Sequence, residues 1–261
     1  MKFTILDVGH GSCAYVQDSN GALLVFDCGH KDEPEFRPSA VLPGAQSYNS
    51  RIDRLFISNF DQDHISDLPR LQERFSIRCF HRNRSLSAQD LRAMKERTGV
   101  ITNAMSELIG MHITYTGPED ALPTPNISWE TYSNSYPEFA ETNDLSMVTF
   151  LDIDGFRVVF PGDLERPGWL SLLRNTGFKA ALSRGVDVLV ASHHGRENGY
   201  CPEVFTVSGE VGAVVFSDSS IRHASQSMAN TYARHARGVP FNGQNRRVLT
   251  TRNDGTLVWD F

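Results

Sequence analysis

Five times in this chain a short apolar run with strand character stops and an Asp or His appears at its last turn. It happens at Asp27, at Asp61/Asp63/His64, at Asp163, at His193/His194 and at His223. An Asp after a strand is ordinarily a turn residue or a helix cap, and a lone His is ordinarily a satisfied structural residue. Five coincidences in one chain point elsewhere. Side chains borne on the C-terminal ends of neighbouring strands converge at one rim of a sheet sandwich, and rigid scaffolds hold metal ions in that way. The densest stretch is 55–68, LFISNFDQDHISDL, where Asn59, Asp61, Asp63 and His64 fall within six positions at a strand-to-helix turn.

The surrounding pattern fits such a sandwich. Residues 2–8, 13–17 and 22–26 read as strands, split by Gly9-His10-Gly11 and by Asn20-Gly21, a strong hairpin signal. Residues 31–50, with Pro34, Pro38, Pro43 and Gly44, read as loop. A strand over 53–57 leads into the ligand turn and a helix near 64–74, where Pro69 lies early enough to be tolerated or to kink it. A strand at 77–80 follows, then a helix over 87–97 capped by Ser87 and stopped by Gly99, a helix near 103–109 and a strand at 112–115. Strands at 127–132, 146–152 and 156–160 come next, the last two joined by an Asp154-Gly155 hairpin turn. A helix near 167–175, strands at 186–191 and 211–216, a helix over 225–236 and a closing hairpin of 247–251 with 256–260 complete the chain. Strands first, then mixtures, then αβ alternation predict two mixed sheets packed together with helices outside. That is a four-layer αββα sandwich, as a single domain over 1–261.

Composition narrows the function classes. With 261 residues, 40% hydrophobic and 21% charged, the chain can bury a sizeable core. The opening MKFTILDVGHG has one Lys and a brief apolar run before Asp7, which reads as a strand and not as a signal peptide. No apolar stretch approaches the roughly 18–20 residues that span a bilayer. The expectation is a soluble, cytoplasmic protein with no membrane partner. A net charge of −6, from 25 basic and 31 acidic residues, argues against a dedicated DNA-binding domain. It leaves room for an enzyme whose groove alone is positive. Cys13, Cys28, Cys79 and Cys201 form no C-x-x-C pair and read as reduced core or strand residues. The basic run 78–84, RCFHRNR, is the best nucleic-acid footprint available, although a charge run is more often a solvated face.

Taken as a set, the motifs resemble the metallo-β-lactamase superfamily of hydrolases, and within it the metallo-hydrolase domain of bacterial DNA-uptake competence proteins (ComEC-like). The likeness runs almost end to end. Ile5-Leu6-Asp7-Val8-Gly9-His10-Gly11 is similar to that group's LDVGQG, and Phe26-Asp27-Cys28-Gly29 to its IDTG. Asp63-His64 sits where HxHxDH ends, Asn143-Asp144-Leu145-Ser146-Met147-Val148 resembles NNxSxV, Gly162-Asp163 the bridging-Asp motif and His193-His194-Gly195 the HHG motif. The two leading His of HxHxDH are replaced by Asn59 and Asp61.

The resemblance implies a metal-dependent hydrolase. Carried over residue by residue, it makes Asp63, His64, Asp163 and His194 a nearly whole second metal site. It leaves Asn59, Asp61 and Asp163 for the first. His194 is preferred to His193 because it directly precedes Gly195. Asp27 is expected to orient the ligands from behind, with His193, Arg196, Asn143 and Ser146 supporting the site or touching substrate. Oxygen ligands in place of imidazole favour Mn²⁺, Mg²⁺ or Ca²⁺ over Zn²⁺ at the first site, so one zinc ion, a mixed or manganese-type pair, or lost catalysis all remain open. In an active protein the metal acidifies a water, Asp63 orients it, and His223 protonates the leaving group or contacts a phosphate. His223 also reads as a surface His near a helix start. Arg196 stands where the group has Ser and reads either as a phosphate ligand or as a solvated loop Arg. Three functions follow: a phosphodiesterase or nuclease, a hydrolase of a small ester, cyclic nucleotide or lactone, or a degenerate metal- or ligand-binding protein. The partner is correspondingly a nucleic acid or a phosphate-containing small molecule, with the oligomeric state open.

Overall fold

The structure, a computed structural model, describes residues 1–47, 50–115, 121–219 and 227–261. One six-stranded sheet runs in the order Leu257–Asp260 (β14), Lys2–Ile5 (β1), Ala14–Gln17 (β2), Leu23–Phe26 (β3), Ser50–Phe56 (β4), Phe75–His81 (β5). A second runs Val248–Thr250 (β13), Ala213–Phe216 (β10), Val188–Val190 (β9), Phe156–Phe160 (β8), Met147–Ile153 (β7), Ile127–Ser133 (β6). Val239–Phe241 (β11) and Gln244–Arg246 (β12) form a separate ribbon.

Three buried clusters show how the layers stack. Phe3, Ile5, Val16, Leu24, Phe26 and Phe56 of the first sheet meet Leu151, Ile153, Val158, Phe160 and Val215 of the second, so this cluster lies between the sheets. The other face of the first sheet, with Val25, Ile52 and Leu55, packs on helices Leu68–Arg74 (α3), Ala88–Thr98 (α4) and Asn103–Thr114 (α5), after the short Pro38–Val41 (α1) and Gln62–Ile65 (α2). The other face of the second sheet packs on Arg166–Leu172 (α6), Thr176–Leu182 (α7), Pro202–Ser208 (α8) and Ala229–Ala233 (α9). The αββα sandwich read from the sequence is therefore the architecture observed. No helix among the described residues is long and apolar enough to cross a membrane.

Strand direction prepares the site. β1 and β3 are both antiparallel to β2, and β3 is parallel to β4, so β1, β3 and β4 point one way. β8, β9 and β10 are likewise parallel. The loops that carry the Asp and His signals leave the C-terminal ends of these six strands.

The structure departs from the sequence reading in three places. Residues 112–114 are the last turn of α5, not a strand. The Thr102 hydroxyl caps that helix by accepting from Met105 N at 3.1 Å, and Ala104, Met105, Leu108, Ile109, Met111 and His112 are all buried. This 3.6-residue stripe overrides the β preference of Ile113 and Thr114. The C-terminal hairpin does not form either. β13 pairs in parallel with β10, and β14 pairs antiparallel with β1 in the other sheet. Between them Thr250 caps a short helix, Thr251–Asp254 (α10), that closes on Gly255 at φ +68°. Third, α7 and α8 add helical turns, and Pro69 starts α3 instead of lying inside one longer helix. Part of the expected 225–236 helix lies outside the described residues.

Ser87 caps α4 as expected and forms a full capping box with Asp90. Replacing Ser87 with Ala should cost about 1 kcal/mol, read as a lower denaturation midpoint at unchanged m-value.

Candidate metal centre

The turn after β4 is held mainly by backbone. Ser12 N donates to Asp63 O at 3.1 Å, Cys28 N to His64 O at 2.8 Å, and Asp67 N returns a bond to Cys28 O at 2.9 Å. The approach is so close that a Cβ on Gly29 would lie 1.9 Å from Asp63 O, and one on Gly11 2.7 Å from it. The glycines of the first two motifs therefore exist to let the Asp63-His64 turn settle between them.

Asp63, His64, Asp163 and His194 each turn one donor atom inward, and these four atoms lie within 4.8 Å of one another. His64 Nε2 is 3.0 Å from Asp163 Oδ1. His194 Nε2 is 3.0 Å from Asp63 Oδ2 and 3.6 Å from Asp163 Oδ1. Each imidazole is fixed from its outer side. His194 Nδ1 donates to Ser217 O at 2.8 Å, and His64 Nδ1 meets Asp27 Oδ2 at 2.9 Å. Asp27 in turn accepts from Ser58 N and Ser58 Oγ, both at 2.7 Å. Asp27, His193 and His194 all adopt left-handed backbone, at φ 57°, 51° and 53°. Such conformations cost on the order of 1–3 kcal/mol each and persist where the surroundings impose them.

The charges interlock. Burial alone would lower His64, but the Asp163 and Asp27 carboxylates on either side raise it well above the ordinary imidazole range. Burial acts the same way on His194, and there Asp163 and Asp63 prevail and raise it. Against its own burial, Asp163 is held at about 2 by His64 and His194. Burial also works upward on Asp63, and the hydrogen bond from His194 with the His64 and His194 charges holds it well below the carboxylate range.

This donor set fits a divalent cation. Two imidazole nitrogens and two carboxylate oxygens, with pairs at 3.0, 3.0 and 3.6 Å, match the donor spacing of about 3.3 Å in a tetrahedral zinc site. A divalent ion would exchange for the two inward ring protons charge for charge. Both imidazoles already have their outer nitrogen engaged by a carboxylate or a carbonyl, as ligating His residues do.

Asp61 lies outside this group, and Asn59 and Asp61 make other contacts. Asn59 is fully buried, yet its amide donates to Ser146 Oγ at 3.1 Å and Asn143 Oδ1 at 3.2 Å. Its oxygen accepts from Asp61 N at 2.8 Å. Asp61 pairs instead with Lys95 of α4. Asn59, Asn143 and Ser146 act as a strut, for Ser146 Oγ also accepts from Asp163 N at 3.2 Å.

His193 and Arg196 lie at the rim. His193 Nε2 is 4.0 Å from Asp163 Oδ2. Arg196 Nη1 donates to His193 Nε2 at 3.1 Å and Nη2 to His10 Nε2 at 3.3 Å. His10 packs on the His194 ring with centroids 4.5 Å apart and reaches to 4.0 Å from Asp63. Burial, with the nearby His194 charge, lowers His10 to about 4, so it accepts from Arg196 as a neutral ring. Sequence reasoning missed His10 as a site residue. The signal was present, since it follows β1 as the other Asp and His residues follow their strands. His223 lies outside the described residues.

No family model matches the chain. It is similar to ComE operon protein 3 of Bacillus subtilis, at 22% identity over 214 residues, or 81% of this chain and 25% of that protein. The chain thus spans about a quarter of the length of the curated relative it matches. Among solved structures it is similar to the metallo-beta-lactamase fold protein YhfI from Bacillus subtilis, with TM-score 0.52, 13% identity and 100% of both chains covered. It is similar to Igni18, a metallo hydrolase from Ignicoccus hospitalis, with TM-score 0.51, 12% identity and 100% of both chains covered. Zn²⁺-bound PqqB from Methylobacterium extorquens gives TM-score 0.53, 14% identity and the same full coverage. The fold is the metallo-β-lactamase fold.

Proposed function

We propose that this chain is a metal-dependent hydrolase of phosphodiester bonds with nucleic acid as its substrate. The observation that carries the reading is the convergence of Asp63, His64, Asp163 and His194 beside an arginine whose charge no carboxylate neutralises. Among the described residues Arg196 makes no ion pair, and its guanidinium donates to two imidazole nitrogens. A guanidinium held there by neutral rings is free to accept the charge of a phosphate. The likeness to ComE operon protein 3, the resemblance of the motifs and the fold support the same class.

In this reading Asp63, His64, Asp163 and His194 hold one zinc-type ion. The engagement of Asn59 and Asp61 in structural contacts favours one ion over two. When bound, such an ion acidifies a water and takes up charge on a phosphoryl oxygen. The chain's own residues do the rest. Asp63, with 26% of its side chain exposed against 5% for Asp163, is the carboxylate that orients the attacking water. Arg196 binds a non-bridging oxygen. Asp27 and the Ser217 carbonyl keep both imidazoles aimed.

The other contacts of Asn59 and Asp61 favour one second reading, a protein that binds ligand without turning it over. Metal analysis and DNA cleavage separate the two. The purified protein should carry about one divalent ion per chain, lose cleavage of labelled DNA on chelation and regain it with Zn²⁺ or Mn²⁺. An ion with no cleavage supports the binding reading. Cleavage by Asp63→Ala equal to the unmodified protein would sink the hydrolase.

A further inference from the structure

We infer that the open edge of the sandwich, where β5 and β6 lie, is a binding slot for single-stranded nucleic acid. This rests on the hydrolase reading for the class of substrate and extends it to how the strand is held. At this edge the apolar core between the sheets gives out. Phe56 and Met147 are buried there. Beyond them Arg54, His81, Arg82, Arg84, Trp129 and Met147 line a slot of about 420 Å³, within the usual size of ligand clefts.

The lining combines cations with aromatic faces. The Arg54 guanidinium lies 4.9 Å from the Trp129 ring centroid, and Arg82 lies 4.8 Å from that of Phe80. His81 stacks on Phe56 with centroids 4.3 Å apart and planes at 9°, and Trp129 meets both rings edge-on at 5.6 Å. Burial, Arg54 and Arg84 together lower His81 to about 4, so it stacks as a neutral ring.

Several arginines elsewhere in this acidic chain carry a carboxylate partner. Arg37 pairs with Glu35 and Asp67, Arg184 with Glu130, Arg237 with Asp187 and Arg246 with Asp254. Among the described residues Arg54, Arg82 and Arg84 pair with no carboxylate. Arg82 gives Nη2 to His112 O and Tyr115 O at 3.3 and 3.4 Å, while its Nε and Nη1 are buried with no partner. Three adjacent cations with no carboxylate partner among the described residues ask for an anion with several charges, and an aromatic floor beside them asks for a planar group. A phosphodiester strand with unpaired bases supplies both, phosphates to arginine and a base to Trp129. A duplex keeps its bases stacked inside and cannot use the floor.

The slot also adjoins the metal centre. Met147 N donates to Ser58 O at 2.8 Å, and the preceding Ser146 accepts from both Asn59 and Asp163 N.

The test measures binding alone, on chelated protein that cannot cleave, by fluorescence anisotropy with a labelled oligothymidylate of about 16 nucleotides. Trp129→Ala should weaken binding on the order of 10-fold, and Trp129→Phe should recover most of it. Arg82→Gln with Arg84→Gln should flatten the plot of log affinity against log salt by about 1.4, or roughly 0.7 per phosphate contact. Arg84→Gln alone, at an exposed position, should give half of that in a protein whose packing is untouched. An unchanged salt slope in Arg84→Gln, equal affinity for duplex, or competition by inorganic phosphate at equal concentration would each overturn the proposal. Normal binding followed by no cleavage in any metal refutes the hydrolase reading and leaves the slot standing.

Discussion

Asp163→Ala should strip the divalent ion from the purified protein and lower phosphodiester cleavage by roughly 10³-fold, the several kcal/mol of charge stabilisation that a bound ion contributes. Its carboxylate is the one in the group placed against both imidazoles, 3.0 Å from His64 Nε2 and 3.6 Å from His194 Nε2. It is buried on a loop that Gly162 turns at φ +60°. Ser146 and Asn59 are not free to replace it, because Ser146 is committed to the Asp163 amide and Asn59 to Ser146. Asp27→Asn should differ in kind. The amide can still meet His64 but carries no charge, so metal affinity should fall about 10- to 100-fold while activity at saturating metal stays near normal. Metal titration of the two variants with cleavage measured at each point separates a lost ligand from a loosened one. Asp163→Ala that keeps its ion at normal affinity would remove it from the centre.

Much of this was legible because strand ends are local. An apolar run stopping at Asp27, Asp163 or His194 is visible in a few residues, and parallel strands then place those ends on one rim. What was not legible depends on partners far away in the chain. Asn59 and Asp61 have the chemistry of ligands, and nothing near them in sequence says that Asn143, Ser146 and Lys95 occupy them. His10 lies more than fifty residues from Asp63, and only the pairing of β1 with the rest of its sheet puts it against His194. The closing segment has good hairpin chemistry at Asn253-Asp254-Gly255, yet β10 and β1 each offer a free strand edge. Two ladders, of three and four residue pairs, together outweigh one hairpin. Residues 112–114 failed for the opposite reason, since their β preference is local and the helical stripe that overrides it begins ten residues earlier.

Two glycine-to-alanine changes should move stability in opposite directions, and only one should touch the metal centre. Gly29→Ala puts a methyl 1.9 Å from Asp63 O and 3.0 Å from Ser12 N. Both neighbours are backbone, and Ser12 N is itself bonded to Asp63 O at 3.1 Å, so neither yields without the other. Overpacking of this kind should cost about 3 kcal/mol, a fall in Tm of roughly 6–12 °C for a chain of this size. The relief available is to push the Asp63-His64 turn outward, and a displacement near 1 Å at a reacting site costs about 10²-fold in rate. Gly110 lies on the exposed side of α5 with nothing within 4 Å of an added Cβ. There alanine removes backbone freedom from the unfolded chain and should stabilise by about 0.5–1 kcal/mol without altering metal affinity. Thermal unfolding and metal titration of the two proteins side by side decide the point. Gly29→Ala with normal stability and normal metal affinity would mean that the first two motifs do not set the position of the third. The glycines would then need another explanation than the close approach to Asp63.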